Sequence, residues 1–265
     1  MSSLSFRAQQ GISHQITSPQ PPTNPTRTNS NCNCEEARQS NRTQPNTQHH
    51  HNMQLPTTQI ETSYNYHEVI TWLHKSAQQL LKKDFIIPEE ERGIIFGLLA
   101  WFLQDELVAS EMNIDLNKGI LLSGPIGCGK TTLFKLMRKI PSERKNFMMI
   151  STRQVVSEFM QSGFEVLETY SRGSLYNDSR IPKNWCFDDL GTEATSKYFG
   201  NDCNVMAEIL LTRYDLFKEK GIITHLTTNL TAGEIESMYG NRVRSRMREM
   251  FNLFGYVENS KDKRR

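Results

Sequence analysis

The sequence predicts an α/β protein with three layers, in which helices cover a parallel sheet. Two observations predict this fold class. Short apolar runs alternate with longer segments of helical periodicity through residues 113–258, and this alternation is typical of right-handed crossovers between parallel strands. In addition, the apolar run at 119–123 leads into a glycine-rich turn and then into the helical pattern of 132–139, the order of a phosphate-binding strand, loop and helix.

The glycine-rich turn is the most informative segment of the chain. It reads G-x-x-x-x-G-K-T and consists of Gly124, Pro125, Ile126, Gly127, Cys128, Gly129, Lys130 and Thr131. In such a loop, backbone N–H groups hold phosphate oxygens, the lysine places a charge beside the β- and γ-phosphates, and the hydroxyl binds Mg²⁺. We therefore predict that these residues and Thr132 bind ATP, with Lys130 also acting in catalysis and Thr131 binding Mg²⁺.

The other elements of the predicted sheet follow the loop in alternation. Strands are predicted at 147–151, 185–188 and 222–228, and helices at 153–161, at 205–217 and after the capping box of Thr231 and Glu234. The polar, interrupted segment 163–183 is expected to be an exposed excursion. These elements complete a P-loop NTPase domain over residues 113–258.

Acidic and amide side chains follow two of these strands. Asp188 ends an apolar strand, where a carboxylate can bind Mg²⁺ or its waters, and we predict it as a metal ligand. Asp189 can orient the attacking water, and Glu193 has a longer side chain that can do the same, so the base assignment stays open between them, with a solvated surface role as the alternative for Glu193. Asn229 ends the strand Thr227-Thr228-Asn229 and is predicted to sit near the γ-phosphate.

The two ends of the chain differ in composition from the middle. Residues 1–62 are rich in Pro, Ser, Thr, Asn and Gln and are predicted to be a disordered polar tail. Its possible metal ligands are Cys32, Cys34, His49, His50 and His51. They lack a second paired cluster with ligand spacing, so a solvated tail is the favoured interpretation. Residues 259–265 are predicted to be a basic tail.

Residues 63–112 are predicted to form a helical segment ahead of the nucleotide-binding domain. Apolar positions recur at helical spacing over 64–83, and a second helix is expected from Pro88 to about Ala109. The two helices can pack on the domain or dock a partner, and packing is the favoured interpretation.

Composition indicates in which cellular compartment the protein is expected. The longest apolar run, 93–103, is too short to span a membrane, and no apolar signal segment follows a basic start. The irregular cysteines suit a reducing compartment, and we predict a cytoplasmic protein. A formal net charge of +2 neither requires nor excludes a polyanionic partner.

Four motifs together resemble a known family. The segments GPIGCGKT, WCFDDLGTE, LTTNLT and YGNRVRSRMRE occur in this order and resemble the DnaC/IstB branch of AAA+ ATPases, which contains helicase loaders and transposition helpers. The resemblance implies an AAA+ type of P-loop fold and a role for Asn229 in sensing the γ-phosphate. It also implies an arginine finger that completes a neighbouring subunit's site, for which Arg242 is favoured and Arg246 is the second choice.

The function that this resemblance implies is Mg²⁺-dependent ATP hydrolysis in DNA replication or transposition. The expected partners are further copies of the chain in an ATP-bridged oligomer, single-stranded DNA, and a replicative helicase or transposase. The candidates for contacts to DNA phosphates are Arg244, Arg248, residues 172–180 and the basic end. For each of them, exposure to solvent without a DNA contact is the alternative.

Two other functions compete with this one. The family commonly has glutamate where this chain has Asp189, which keeps open a nucleotide-gated adaptor with little or no ATP turnover. A small-molecule kinase shares the phosphate loop, but the Thr-Thr-Asn strand end argues against it.

Overall fold

A computed structural model of the chain describes residues 64–82, 86–140, 146–173, 182–193, 196–198, 201–257 and 260–264. The predicted polar tail 1–62 and its possible metal ligands lie outside the described residues, as does 174–181 of the predicted excursion. Among the described helices, none combines the length and the apolar character that a membrane span requires.

Helices and strands alternate along most of the chain. The helices are α1 (Tyr66–Leu81), α2 (Arg92–Leu103), α3 (Glu106–Glu111), α4 (Lys130–Met137), α5 (Thr152–Ser162), α6 (Phe164–Ser171), α7 (Val205–Lys220), α8 (Ala232–Tyr239) and α9 (Asn241–Met250). The strands are β1 (Gly119–Ser123), β2 (Met148–Ser151), β3 (Trp185–Leu190), β4 (Ser196–Tyr198), β5 (Asn201–Cys203), β6 (Thr224–Thr228) and β7 (Phe251–Gly255).

Five of the strands form one parallel sheet in the order β2-β3-β6-β1-β7, while β4 and β5 form a separate antiparallel pair. Side chains alternate across β1: Ile120 and Leu122 belong to a core that includes residues of α1, α2 and α4, whereas Leu121 belongs to a core with α5, α7 and α9. Helices therefore cover both faces of the sheet. The predicted three-layer P-loop fold is confirmed.

The helices before the sheet share its core. Leu73 of α1 and Leu99 and Trp101 of α2 are fully buried in the cluster that also contains Ile120 and Phe134. Burial of each such side chain contributes about 1.5–3 kcal/mol relative to its exposed state. These helices therefore pack on the sheet and on α4, as favoured from the sequence.

A buried arginine ties α7 to two neighbouring segments. Arg213 is fully buried and donates hydrogen bonds to the carbonyl oxygens of Tyr170, Ser171, Lys183 and Ile223 and to the hydroxyl of Thr224, at 2.6–3.3 Å. All of these acceptors are uncharged, so the guanidinium is held by five neutral oxygen acceptors rather than by a carboxylate.

Several local predictions were wrong. The second helix does not run from Pro88 to Ala109, because Gln104 adopts a left-handed conformation (φ 58°) and Asp105 caps a new helix by accepting from Val108 N–H. The segment 163–183 is not exposed throughout, since α6 buries Val166 and Tyr170. The edge strand β7 and the β4–β5 pair were not predicted.

Candidate functional site

The phosphate loop connects β1 to α4 at the carboxyl end of the sheet, where ligands of open α/β sheets bind. Gly127 and Gly129 have φ values of 84° and 103°, a left-handed region that favours glycine. The loop borders a cavity of about 880 Å³. Six of the nine predicted nucleotide-binding residues line it: Ile126, Gly127, Gly129, Lys130, Thr131 and Thr132.

The other three predicted loop residues, Gly124, Pro125 and Cys128, do not line the cavity. The Nζ of Lys130 donates hydrogen bonds to the carbonyl oxygens of Gly124 (2.8 Å) and Pro125 (2.9 Å). Cys128 is fully buried beneath the loop, and burial raises the pKa of its thiol. The lysine is thus held inside its own loop and must turn outward to reach a phosphate.

Asp188 and Thr131 form the predicted metal-binding pair. Thr131 Oγ1 lies 3.0 Å from both carboxylate oxygens of Asp188, and the Thr227 hydroxyl donates a 2.7 Å hydrogen bond to Asp188 Oδ1. Burial raises the pKa of Asp188, and the hydrogen bonds from Thr227 and Thr131 offset part of that rise.

These donors fit Mg²⁺ better than a metal that needs a full protein cage. The described residues contain no group of three or more His, Cys, Asp or Glu side chains that could hold a metal ion. Mg²⁺ typically takes one or two protein oxygens and completes its shell with water and substrate phosphates, so one carboxylate and one hydroxyl beside a phosphate loop suit it.

A bulge in β3 gives the side chains of the two aspartates different surroundings. Phe187 pairs with Leu226 and Leu190 pairs with Thr228, so Asp188 and Asp189 together lie opposite Thr227. Asp189 has a φ of 57°, which is uncommon for a residue with a side chain, and its N–H donates to Thr227 Oγ1 at 2.8 Å. The bulge turns Asp188 toward Thr131 and leaves Asp189 lining the cavity.

Glu193, the other predicted water-orienting acid, is held away from the cavity lining. It is buried, Tyr239 donates a hydrogen bond to its Oε1, and the N–H of Gly191 donates to its Oε2 at 2.9 Å. Burial is the main cause of the raised pKa of Tyr239, and the Glu193 carboxylate adds to it. Asn229, in contrast, is exposed at the end of β6 and lines the cavity.

The predicted arginine finger lies on α9, outside the cavity lining. Arg242 is exposed, and Arg246 places its guanidinium carbon 4.8 Å from the centre of the Tyr214 ring. Arg244, for which DNA or solvent is predicted, forms an ion pair with Glu236 of α8. Arg248 is exposed.

No protein-family model and no curated protein matches the chain. It is similar to several solved structures. One is described as a primosome component from Streptococcus pyogenes, at 18% identity over 62% of this chain and 79% of that chain, with a TM-score of 0.41. Another is the DnaC helicase loader, at 21% identity over 53% and 78%, with a TM-score of 0.38.

A third similar structure is AMPPCP-bound DnaA from Aquifex aeolicus, at 15% identity, with a TM-score of 0.44. It covers 66% of this chain and 50% of that chain. Likeness of this degree shows no activity and no partner.

The structure also brings residues to the cavity that sequence reasoning missed. Thr227 holds both aspartates, and Glu91, Tyr256 and Lys263 border the same cavity as the phosphate loop. A threonine in a buried strand is ordinary in sequence, and the other three lie far from the loop along the chain. The sequence carries no signal for Thr227, because its contacts depend on the register of β6 against the bulge, which is not readable from sequence.

Proposed function

We propose that this chain is a Mg²⁺-dependent ATPase of the AAA+ class and that it acts in DNA replication or transposition. The observation that carries the proposal is the convergence of three strand ends on one cavity. The loop after β1 brings Lys130 and Thr131, β3 brings Asp189 with Asp188 behind it, and β6 brings Asn229. This set contains a phosphate cradle, a cation site, a base and a polar sensor.

Several residues of the cavity lining suit a nucleotide base. They are apolar or aromatic and come from the helical segment and from the tyrosine after β7: Leu81, Ile86, Pro88, Ile95 and Tyr256. A ligand with an anionic end and a flat, largely apolar end therefore matches the cavity better than a free phosphate does.

The residues of the chain divide the chemistry between them. When bound, Mg²⁺ would be held by Thr131 and Asp188 and would offset the charge of the β- and γ-phosphates. Lys130 turns from its loop carbonyls toward the phosphates. Asp189 orients the attacking water and accepts its proton, and the Asn229 amide contacts the γ-phosphate or that water.

The site is proposed to be completed by a second copy of the chain. Within the described residues, no arginine of α9 lines the cavity of its own subunit, whereas Arg242 is exposed on that helix. An arginine from a neighbouring subunit would supply the remaining positive charge. ATP would then stabilise an oligomer, and hydrolysis would weaken it.

The partner of such an oligomer is proposed to be DNA together with a replicative helicase or a transposase. The sequence motifs favour both classes, and the structure favours neither. Because α1 and α2 share a core with α4 and β1, partner capture is best done with the whole chain rather than with the helical segment alone.

The experiment that tests the enzyme proposal is phosphate release by the full chain, with and without single-stranded DNA. We expect Mg²⁺-dependent turnover that Lys130→Ala lowers by about 100-fold or more. Lys139→Ala is the matched control, because Lys139 is exposed after α4 and does not line the cavity. Tight ATP binding without phosphate release in either condition would instead support the nucleotide-gated adaptor.

A further inference from the structure

The segment Ser260–Arg264, called here the basic strap, lies against the phosphate loop. The backbone N–H of Lys263 donates a 3.0 Å hydrogen bond to the carbonyl oxygen of Gly127. Lys261, Lys263 and Arg264 line the same cavity as Lys130 and Thr131. The basic end that the sequence left open to DNA or solvent therefore lies at the proposed nucleotide site.

The Lys263 side chain is held in place by groups from two distant segments. Its ammonium forms an ion pair with Glu91, whose side chain is only 4% exposed, and it lies 5.6 Å from the centre of the Tyr256 ring. Burial raises the pKa of Glu91, and the Lys263 ammonium offsets part of that rise. The ion pair with a buried carboxylate therefore holds the Lys263 ammonium in a defined position, unlike a lysine that is surrounded by solvent.

The strap also approaches the two glycine turns of the loop. A Cβ atom on Gly129 would lie 3.6 Å from Cδ and 3.9 Å from Nζ of Lys263, and one on Gly127 would lie 2.1 Å from Oδ1 of Asp262. The distances at Gly129 are ordinary van der Waals contacts, whereas the absence of a side chain at Gly127 makes room for the strap as well as for the left-handed turn.

The way the strap binds leaves the loop able to hold a phosphate. Its backbone contact is with the Gly127 carbonyl oxygen, and phosphate loops bind their ligand through N–H groups. A strap that plugged the loop would be expected to bind those N–H groups instead. The observed contact favours a strap that works together with the ligand.

We propose that the basic strap is part of the nucleotide site and that Lys263, positioned by Glu91, supplies a positive charge to the phosphates of the bound nucleotide. This inference rests on the proposed ATP-binding function. Lys261 and Arg264 are exposed at the cavity and form no ion pair among the described residues, so they add to the same positive field. The strap thus selects for phosphate charge, and the apolar side of the cavity accepts the base.

The test compares ligands that differ only in phosphate. Titration calorimetry on the full chain would measure the affinity for ATP and for adenosine in Lys263→Met, which keeps the aliphatic stem and removes the charge. We expect a loss of about tenfold in ATP affinity and no change for adenosine, since a charge-assisted contact to phosphate is lost. Lys218→Met is the control, because Lys218 forms an exposed ion pair with Glu249 away from the cavity.

A positioning role for Glu91 is tested by Glu91→Gln alone and combined with Lys263→Met. We expect the single variant to weaken ATP binding and the double variant to be no weaker than Lys263→Met, because both changes remove one interaction. Additive losses would overturn the positioning role.

Three results would overturn the strap proposal: unchanged ATP affinity in Lys263→Met, tighter ATP binding in that variant, or equal losses for ATP and adenosine. Tighter binding would mean that the strap obstructs the site. If the unaltered chain binds no ATP, the proposed function itself fails, and the two failures are thereby distinguished.

Discussion

Tyr239 donates a hydrogen bond from its hydroxyl to Oε1 of Glu193, and both side chains are buried. The second oxygen of Glu193 accepts from the N–H of Gly191 at 2.9 Å. Both carboxylate oxygens are thus engaged in fixing the turn after β3 to α8. Asp189, four residues earlier, lines the cavity.

Replacement of each acid by its amide should therefore separate the two roles. We expect Asp189→Asn to lower kcat by about 10²–10⁴-fold, because the water loses its general base, while ATP affinity is kept. Glu193→Gln should keep turnover and lower the free energy of unfolding by about 1 kcal/mol. Phosphate release and urea unfolding measure the two effects, and a reversed pattern would assign the base to Glu193.

Loss of the Thr227 hydroxyl should weaken Mg²⁺ binding, because this hydroxyl contacts both aspartates of the site. Its oxygen donates to Asp188 and accepts from the N–H of Asp189, so Thr227→Val keeps the side-chain volume and removes both contacts. We expect the Mg²⁺ concentration needed for half-maximal turnover to rise about 10–100-fold. Thr212→Val is the control, because the Thr212 hydroxyl bonds to the Glu208 carbonyl of its own helix. An equal Mg²⁺ requirement in both variants would contradict this role.

An arginine finger supplied by a neighbour can be tested by mixing inactive subunits. Arg242→Ala alone should lower kcat by about 10³-fold or more while the oligomer still forms. Mixing it with Lys130→Ala should restore part of the activity, because some interfaces then pair an intact loop with an intact arginine. Arg246→Ala is measured beside it, and Arg248→Ala serves as the exposed control on the same helix. Absence of any recovery in the mixture, with oligomers present, would argue against Arg242.

The buried arginine of α7 should matter for stability and not for chemistry. Arg213→Met leaves four carbonyl oxygens without their donor, and we expect a loss of about 3 kcal/mol in the free energy of unfolding. Urea denaturation measures it, with Arg248→Met as the exposed control. A change of less than about 1 kcal/mol would mean that the carbonyls find other donors.

The phosphate loop and the order of its flanking elements were predictable because they depend on local chemistry. Glycine at turns, a lysine and a threonine at fixed offsets, and an apolar strand before them all lie within one short segment. The same holds for the capping box of Thr231 and Glu234, which the structure confirms. Strand β7 was missed because its run of Phe, Leu and Phe directly follows a helix with no turn residue between them.

The amino-acid sequence alone determined that this chain has a phosphate-loop motif, two aspartates at the end of one strand and an asparagine at the end of the next strand. It left Asp189 and Glu193 as equal candidates, since both lie within a few residues of the strand. Only the tertiary structure gave the two acids different surroundings. The bulge opposite Thr227 leaves Asp189 at the cavity, whereas Tyr239 of a distant helix donates a hydrogen bond to Glu193. Likewise, the pairing of Glu91 with Lys263 joins residues that lie 172 positions apart, and long-range contacts of this kind depend on how the helices and strands pack.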